Sequence, residues 1–138
     1  MGHTSVRFAE TLREIGAGRL IVAEWDPEAP ERADATQSRL EAFPDVSWKV
    51  VRSDALTVIR SLPEESVDFA FVDDDHRKAH VSEELQALLP KMAPKGLICC
   101  HDVFGVCDLQ EVVRTFGGFS LDLPMLGPAG GLGIIQVL

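Results

Sequence analysis

Residues 67–76, V-D-F-A-F-V-D-D-D-H, constrain the fold more than any other stretch. Six mostly apolar, β-type residues stop abruptly at three carboxylates and an imidazole. An apolar run of this length with polar residues on either side predicts a strand buried on both faces, as in a parallel sheet. In open α/β sheets, ligands gather beyond the carboxyl ends of the strands. Asp73, Asp74, Asp75 and His76 therefore stand where such a fold does chemistry. The alternative is a solvated strand-end loop of the kind that Asp-rich turns often form.

The rest of the chain alternates around this strand. Val6, Ala9, Leu12 and Ile15 recur at helical spacing over residues 4–15, and Gly16 and Gly18 then end the helix. Residues 19–25 read as a buried strand. Asp26-Pro27 is a helix-start signal, with Pro30 positioned to delay the first turn of a mostly polar helix that reaches Phe43 and stops at Pro44. Strand 46–51, helix 55–62 and the opening strand follow. Helix 77–89 carries Val81, Leu85, Leu88 and Leu89 on its inward stripe, with His80 on its solvated side. Pro94-Lys95-Gly96 predicts a turn feeding strand 97–100, which ends at His101-Asp102. A short helix over 109–116 and two strands, 119–123 and 132–138, joined by a Pro/Gly-rich connection, close the chain. This order predicts an α/β fold: a Rossmann-like, doubly wound, mostly parallel sheet with a C-terminal antiparallel hairpin. At 138 residues, with no linker and no internal repeat, residues 1–138 form one expected domain.

Charge and composition exclude several roles. A net charge of −9 disfavours nucleic acid and anionic membrane surfaces, both of which repel an acidic protein. No apolar run approaches the length of a membrane span, and no signal peptide is visible. Three cysteines, two of them adjacent at Cys99 and Cys100, make no disulfide framework and predict core thiols in a reducing cytoplasm. The absence of C-x-x-C or Cys/His spacing argues against a zinc site.

Five segments resemble a known family. They are residues 2–12 (G-H-T-S-V-R-F-A-E-T-L), Glu24-Trp25-Asp26-Pro27-Glu28, Ser53-Asp54-Ala55, residues 71–76 (F-V-D-D-D-H) and residues 96–103 (G-L-I-C-C-H-D-V). Their order is similar to that in class I S-adenosylmethionine-dependent methyltransferases. The resemblance is strongest to small-molecule O-methyltransferases of the catechol type and their bacterial relatives with a D-G-D-H segment. It implies S-adenosylmethionine as cofactor, a small-molecule hydroxyl as acceptor, and Mg²⁺ as an assisting cation. The family's first strand and most of its glycine-rich loop are expected upstream of Gly2. That strand would sit between 19–25 and 67–72. An empty slot there would leave two strand edges and an apolar groove, so the chain is expected to be a fragment or to be completed by a homo-oligomeric partner through strand exchange. A non-catalytic binding or assembly module of the same fold is the other reading.

Residue by residue, the resemblance implies the following. Glu24 accepts the ribose hydroxyls, a bidentate task that one carboxylate can perform, and Trp25 packs on the adenine or plugs the core. Asp54 and Ala55 flank the adenine, although Asp54 also suits a helix N-cap. Gly2, His3 and Thr4 contact the methionine carboxylate at a helix N-terminus. Asp73 serves both the cofactor and the metal, and Asp102 joins it as two hard oxygen ligands suited to Mg²⁺. His101 falls where the family has a further acidic ligand and Asp102 where it often has an amide; histidine suits Mg²⁺ poorly, so the alternative is that His101 contacts the substrate or a water beside the metal. His76 is the preferred general base and Asp75 the alternative.

Overall fold

The computed structural model describes residues 2–105, 109–123 and 130–138. The chain divides into two compact units, one ending at Val58 and the other spanning Ile59–Leu138. The architecture is α/β, as the alternating pattern predicts. Part of the Pro/Gly-rich connection and residues 106–108 lie outside the described residues.

The first unit opens with α1 (His3–Ile15), followed by β1 (Arg19–Ala23), α2 (Glu31–Leu40) and β2 (Ser47–Val51). Pro30 occupies the N-cap of α2, so the helix starts after both prolines rather than at Asp26-Pro27. The two strands pair in parallel, with Leu20 opposite Trp48 and Val22 opposite Val50. Ala9 of α1 and Leu40 of α2 are buried with Phe43 and Val46, and Leu20, Val22, Trp48 and Val50 pack against them. Burial of Leu40, Phe43 and Val46 contributes about 1.5–3 kcal/mol each. The Trp48 indole N–H donates to the Phe43 carbonyl at 3.2 Å, so its polar edge costs nothing to bury. The helices cover one face of this pair only. Burial alternates along β1, and Ile21 on the other face is exposed, which corrects the reading of residues 19–25 as a buried strand.

The second unit contains β3 (Val67–Val72), α4 (Lys78–Leu88), a 3₁₀ turn (Leu89–Lys91), β4 (Met92–His101), α5 (Gln110–Thr115), β5 (Phe119–Asp122) and β6 (Gly131–Gln136). Helix α3 (Ala55–Ser61) carries the chain across the boundary. The sheet order is β3-β4-β6-β5, with β3 and β4 parallel and β6 antiparallel to both its neighbours. Val81, Leu85 and Leu88 of α4 are buried, as the inward stripe predicts. Val112 and Val113 of α5 are buried too, and the β6 backbone at Gly133 runs against Val113. Phe69 of β3 is 45% exposed, so this strand is also not buried throughout.

Residues 94–96 are not a turn outside the strand. Strand β4 begins at Met92 and carries them as an irregular bulge, the register jumping from Val67–Met92 to Phe69–Leu97. Lys95 adopts a left-handed φ of 67° and its N–H donates to the Val137 carbonyl at 3.0 Å. The Val137 N–H in turn donates to the Gly96 carbonyl at 3.0 Å, so two bonds tie the bulge to the chain beyond β6.

Candidate functional site

The first unit assembles a small polar group at the end of β1. The Glu24 N–H donates to the Val51 carbonyl at 3.0 Å, which extends the β1–β2 ladder and fixes the backbone of this residue. Its carboxylate accepts the hydroxyl of Thr36, a fully buried residue of α2, at 3.1 Å. Gly2, the N-cap of α1, lies against the same threonine: a Cβ there would stand 3.1 Å from the Thr36 hydroxyl and 3.2 Å from its Cα. Gly2 also has a φ of 69°, a conformation that costs a side-chain-bearing residue about 1–2 kcal/mol. The structure therefore brings Gly2 and Glu24 together through Thr36. His3 and Thr4 follow in the exposed first turn of α1.

Trp25 is 61% exposed, which removes the reading that it plugs the core. Asp54 accepts the Thr57 N–H at 2.9 Å and so caps α3, with Ala55 the first residue of that helix. Hydrogen bonds from Thr57 hold the Asp54 carboxyl below its ordinary range.

The second unit gathers a different chemistry at the carboxyl ends of β3 and β4. Asp73 follows the last residue of β3, and His101 is the last of β4. These strands are parallel neighbours with Val72 opposite Cys100, so both ends emerge on one edge. His101 Nδ1 lies 3.3 Å from Asp73 Oδ1 and 3.2 Å from Asp102 Oδ1. His76 Nε2 lies 3.9 Å from Asp102 Oδ2. Asp102 takes up this position with a φ of 51°, a left-handed conformation that aspartate tolerates better than most residues. Burial pushes the Asp73 carboxyl above the usual carboxylate range, against the pull of His101 and His76.

Asp75, two residues on, is otherwise engaged. It accepts the Arg77 N–H at 3.0 Å and the Arg77 side-chain Nε at 2.7 Å, with a further guanidinium contact. These hydrogen bonds draw its carboxyl down to about 2. A carboxylate so strongly favoured in its charged form is a weak proton acceptor.

The donor set decides which cation this cluster suits. One donor atom each from Asp73, His76 and His101 lie within 4.8 Å of one another. The inward nitrogens, His76 Nε2 and His101 Nδ1, are buried without a hydrogen-bond partner. Mg²⁺ demands oxygen ligands, whereas imidazole with carboxylate suits Mn²⁺, Fe²⁺ or Zn²⁺. The expected Mg²⁺ therefore fits these residues poorly.

The sequence profile of a family described as a methyltransferase domain matches residues 1–103. The chain belongs to this methyltransferase family. Solved structures agree on the fold. The O-methyltransferase TomG from Streptomyces achromogenes, involved in tomaymycin synthesis and solved with S-adenosylmethionine, has a TM-score of 0.73 at 20% identity, over 99% of this chain and 69% of that one. An O-methyltransferase from Bacillus cereus, solved with S-adenosylhomocysteine, gives 0.62 at 18% identity over 99% and 81%. A methyltransferase from Geobacter sulfurreducens gives 0.59 at 13% identity over 97% and 79%. No curated protein sequence matches the chain.

Two residues of this methyltransferase escape a reading of its sequence. Thr36 looks like one polar residue among many on α2. Glu84 falls on the helical stripe between Val81 and Leu85, where only its spacing hints at burial. It is 1% exposed. His80, expected on the solvated side of α4, instead lies 3.2 Å from Asp74 and 3.5 Å from Glu84, because the β3–α4 loop folds Asp74 over that turn. Among the described residues, no helix is long and apolar enough to cross a membrane.

Proposed function

We propose that this methyltransferase moves the methyl group of S-adenosylmethionine to a hydroxyl of a small molecule. The observation that carries this reading is the convergence of Asp73, His76, His101 and Asp102 at the carboxyl ends of β3 and β4. The O-methyltransferases among its structural neighbours support oxygen as the acceptor atom.

In the first unit, Glu24 takes the two ribose hydroxyls, its carboxylate oriented by Thr36. The amides of His3 and Thr4, following Gly2 at the start of α1, take the methionine carboxylate. Trp25 offers its exposed ring to the adenine, and Asp54 and Ala55 lie beside the adenine amino group while opening α3.

In the second unit, His76 removes the acceptor proton and Asp102 faces the imidazolium that results. The acceptor oxygen then bonds to the methyl carbon as the carbon–sulfur bond breaks, leaving S-adenosylhomocysteine. Orientation of the two reactants supplies most of the rate. Asp73, His101 and Asp102 would hold a divalent cation that tolerates imidazole, such as Mn²⁺; when bound it supplies Lewis-acid polarisation of the acceptor hydroxyl.

A negatively charged chain that binds neither nucleic acid nor membrane is supported by the net charge of −9. A cytoplasmic setting is supported by the free thiols Cys99 and Cys100, both pushed up by burial and so inert. Self-association is supported by the exposed apolar residues of the strands, Ile21, Phe119 and Leu121 among them.

Calorimetry with S-adenosylmethionine, followed by transfer of labelled methyl to a panel of phenols, sugars and hydroxy acids, tests the reading. Saturable binding and transfer are expected. No binding at millimolar cofactor overturns it and leaves a non-catalytic binding module.

A further inference from the structure

Beside the cluster assigned to methyl transfer stands a second group of different origin. Asp74 comes from the β3–α4 loop, and His80 and Glu84 come from successive turns of α4. One donor atom from each lies within 4.8 Å of the other two. His80 Nε2 is 3.2 Å from Asp74 Oδ2 and 3.5 Å from Glu84 Oε1. Three donors held by bonds of ~2.0–2.1 Å around a tetrahedral ion stand roughly 3.3–3.4 Å apart, so both separations match the edge of such a site. Glu84 supplies an independent reason to look for a ligand. The residue is 1% exposed and its Oε2 is buried with no hydrogen-bond partner, yet no lysine or arginine pairs with it among the described residues. A buried carboxylate is costly unless it is paired or coordinates a metal. A divalent ion bound here would displace the acid proton of Glu84 and cancel the charge of the two carboxylates.

We propose that Asp74, His80 and Glu84 form a binding site for a divalent transition-metal ion such as Zn²⁺ or Co²⁺, separate from the cluster around Asp73. The donor set of one nitrogen and two carboxylates favours such ions over Mg²⁺. Because Asp74 lies between Asp73 and Asp75, an ion bridging it to α4 ties down the loop that carries Asp73 and His76. The site positions that loop and takes no part in bond making. The sequence offers no C-x-x-C or His/Cys pattern because the three ligands come from a loop and a helix face.

The test uses Co²⁺ alone, titrated into the Asp73→Asn/His101→Gln double variant, which lacks two donors of the other cluster. Visible ligand-field absorption saturating at one equivalent is expected. Adding His80→Gln or Glu84→Gln should weaken binding by at least about tenfold. Asp74→Asn, at a partly exposed loop position, provides the same loss in a variant whose fold is not at risk, checked by circular dichroism. Absence of saturable absorption in the double variant overturns the proposal. So does absorption that Asp74→Asn and His80→Gln leave unchanged, which would reduce the cluster to a hydrogen-bonded pair beside a buried acid.

Discussion

The hydroxyl of Thr36 donates to the carboxylate of Glu24 at 3.1 Å, joining α2 to the end of β1 across twelve residues of sequence. The threonine is fully buried, and its hydroxyl bond orients the Glu24 carboxylate. Hydrogen bonds to charged groups are worth about 1.5–3 kcal/mol and neutral ones about half that. Glu24→Gln should weaken S-adenosylmethionine binding by about 10–100-fold, and Thr36→Val by a smaller factor of about 3–10. Titration calorimetry measures both. Equal affinity in Glu24→Gln and the parent would remove Glu24 from the cofactor site.

His76 and Asp75 compete for the role of general base. The environment separates them, because Asp75 is committed to Arg77 while His76 faces Asp102. His76→Gln should lower kcat by about 10²-fold or more, with KM for the acceptor little changed. Asp75→Asn should cost less than about fivefold, far below the loss expected of a base. Steady-state methyl-transfer kinetics decide, and a larger loss in Asp75→Asn would reverse the assignment.

The choice of cation follows from the imidazole of His101 among the donors near Asp73. After treatment with a chelator, activity should return further with Mn²⁺ than with Mg²⁺. Changing His101 to Asp, which offers oxygen in place of nitrogen, should shift the preference toward Mg²⁺. Full restoration by Mg²⁺ in the parent protein would show that His101 does not ligate.

Glu84 makes stability depend on pH. Burial first, and then the negative charge of Asp74, push its carboxyl up to about 8. The folded state thus holds a proton that the unfolded chain releases near its ordinary value of 4.5. Its contribution to stability is complete below that value and is lost as pH rises toward and through about 8. The slope attributable to it is at most about 1.4 kcal/mol per pH unit. Urea unfolding in the presence of a chelator should show stability falling across this window in the parent and staying flatter in Glu84→Gln. An identical slope in both would assign the pH dependence elsewhere.

Gly133 tests the packing behind the second cluster. A Cβ at this position of β6 would stand 2.4 Å from Val113 Cγ2 and 3.1 Å from Val103 Cγ1. Both neighbours are stiff, β-branched and fully buried. Gly133→Ala should therefore destabilise the protein by about 1–3 kcal/mol, read as a lower urea midpoint. An unchanged midpoint would mean that α5 can lift from the sheet at little cost.

The sequence by itself determined the elements and what stands at their ends. Spacing of Val6, Ala9 and Leu12 reveals α1, the apolar run before Asp73 reveals β3, and an acid marks the carboxyl end of each run. These signals are local: helix and strand periodicity are set by neighbours a few residues apart. Only the tertiary structure decided how β6 enters between β4 and β5, or that residues 94–96 bulge inside β4. It alone paired Thr36 with Glu24, buried Glu84, and brought His76 to Asp102. Each depends on contacts between residues far apart along the chain. A polar side chain carries no local mark of whether such a partner will cover it, and burial changes its charge, its hydrogen bonds and its chemistry together.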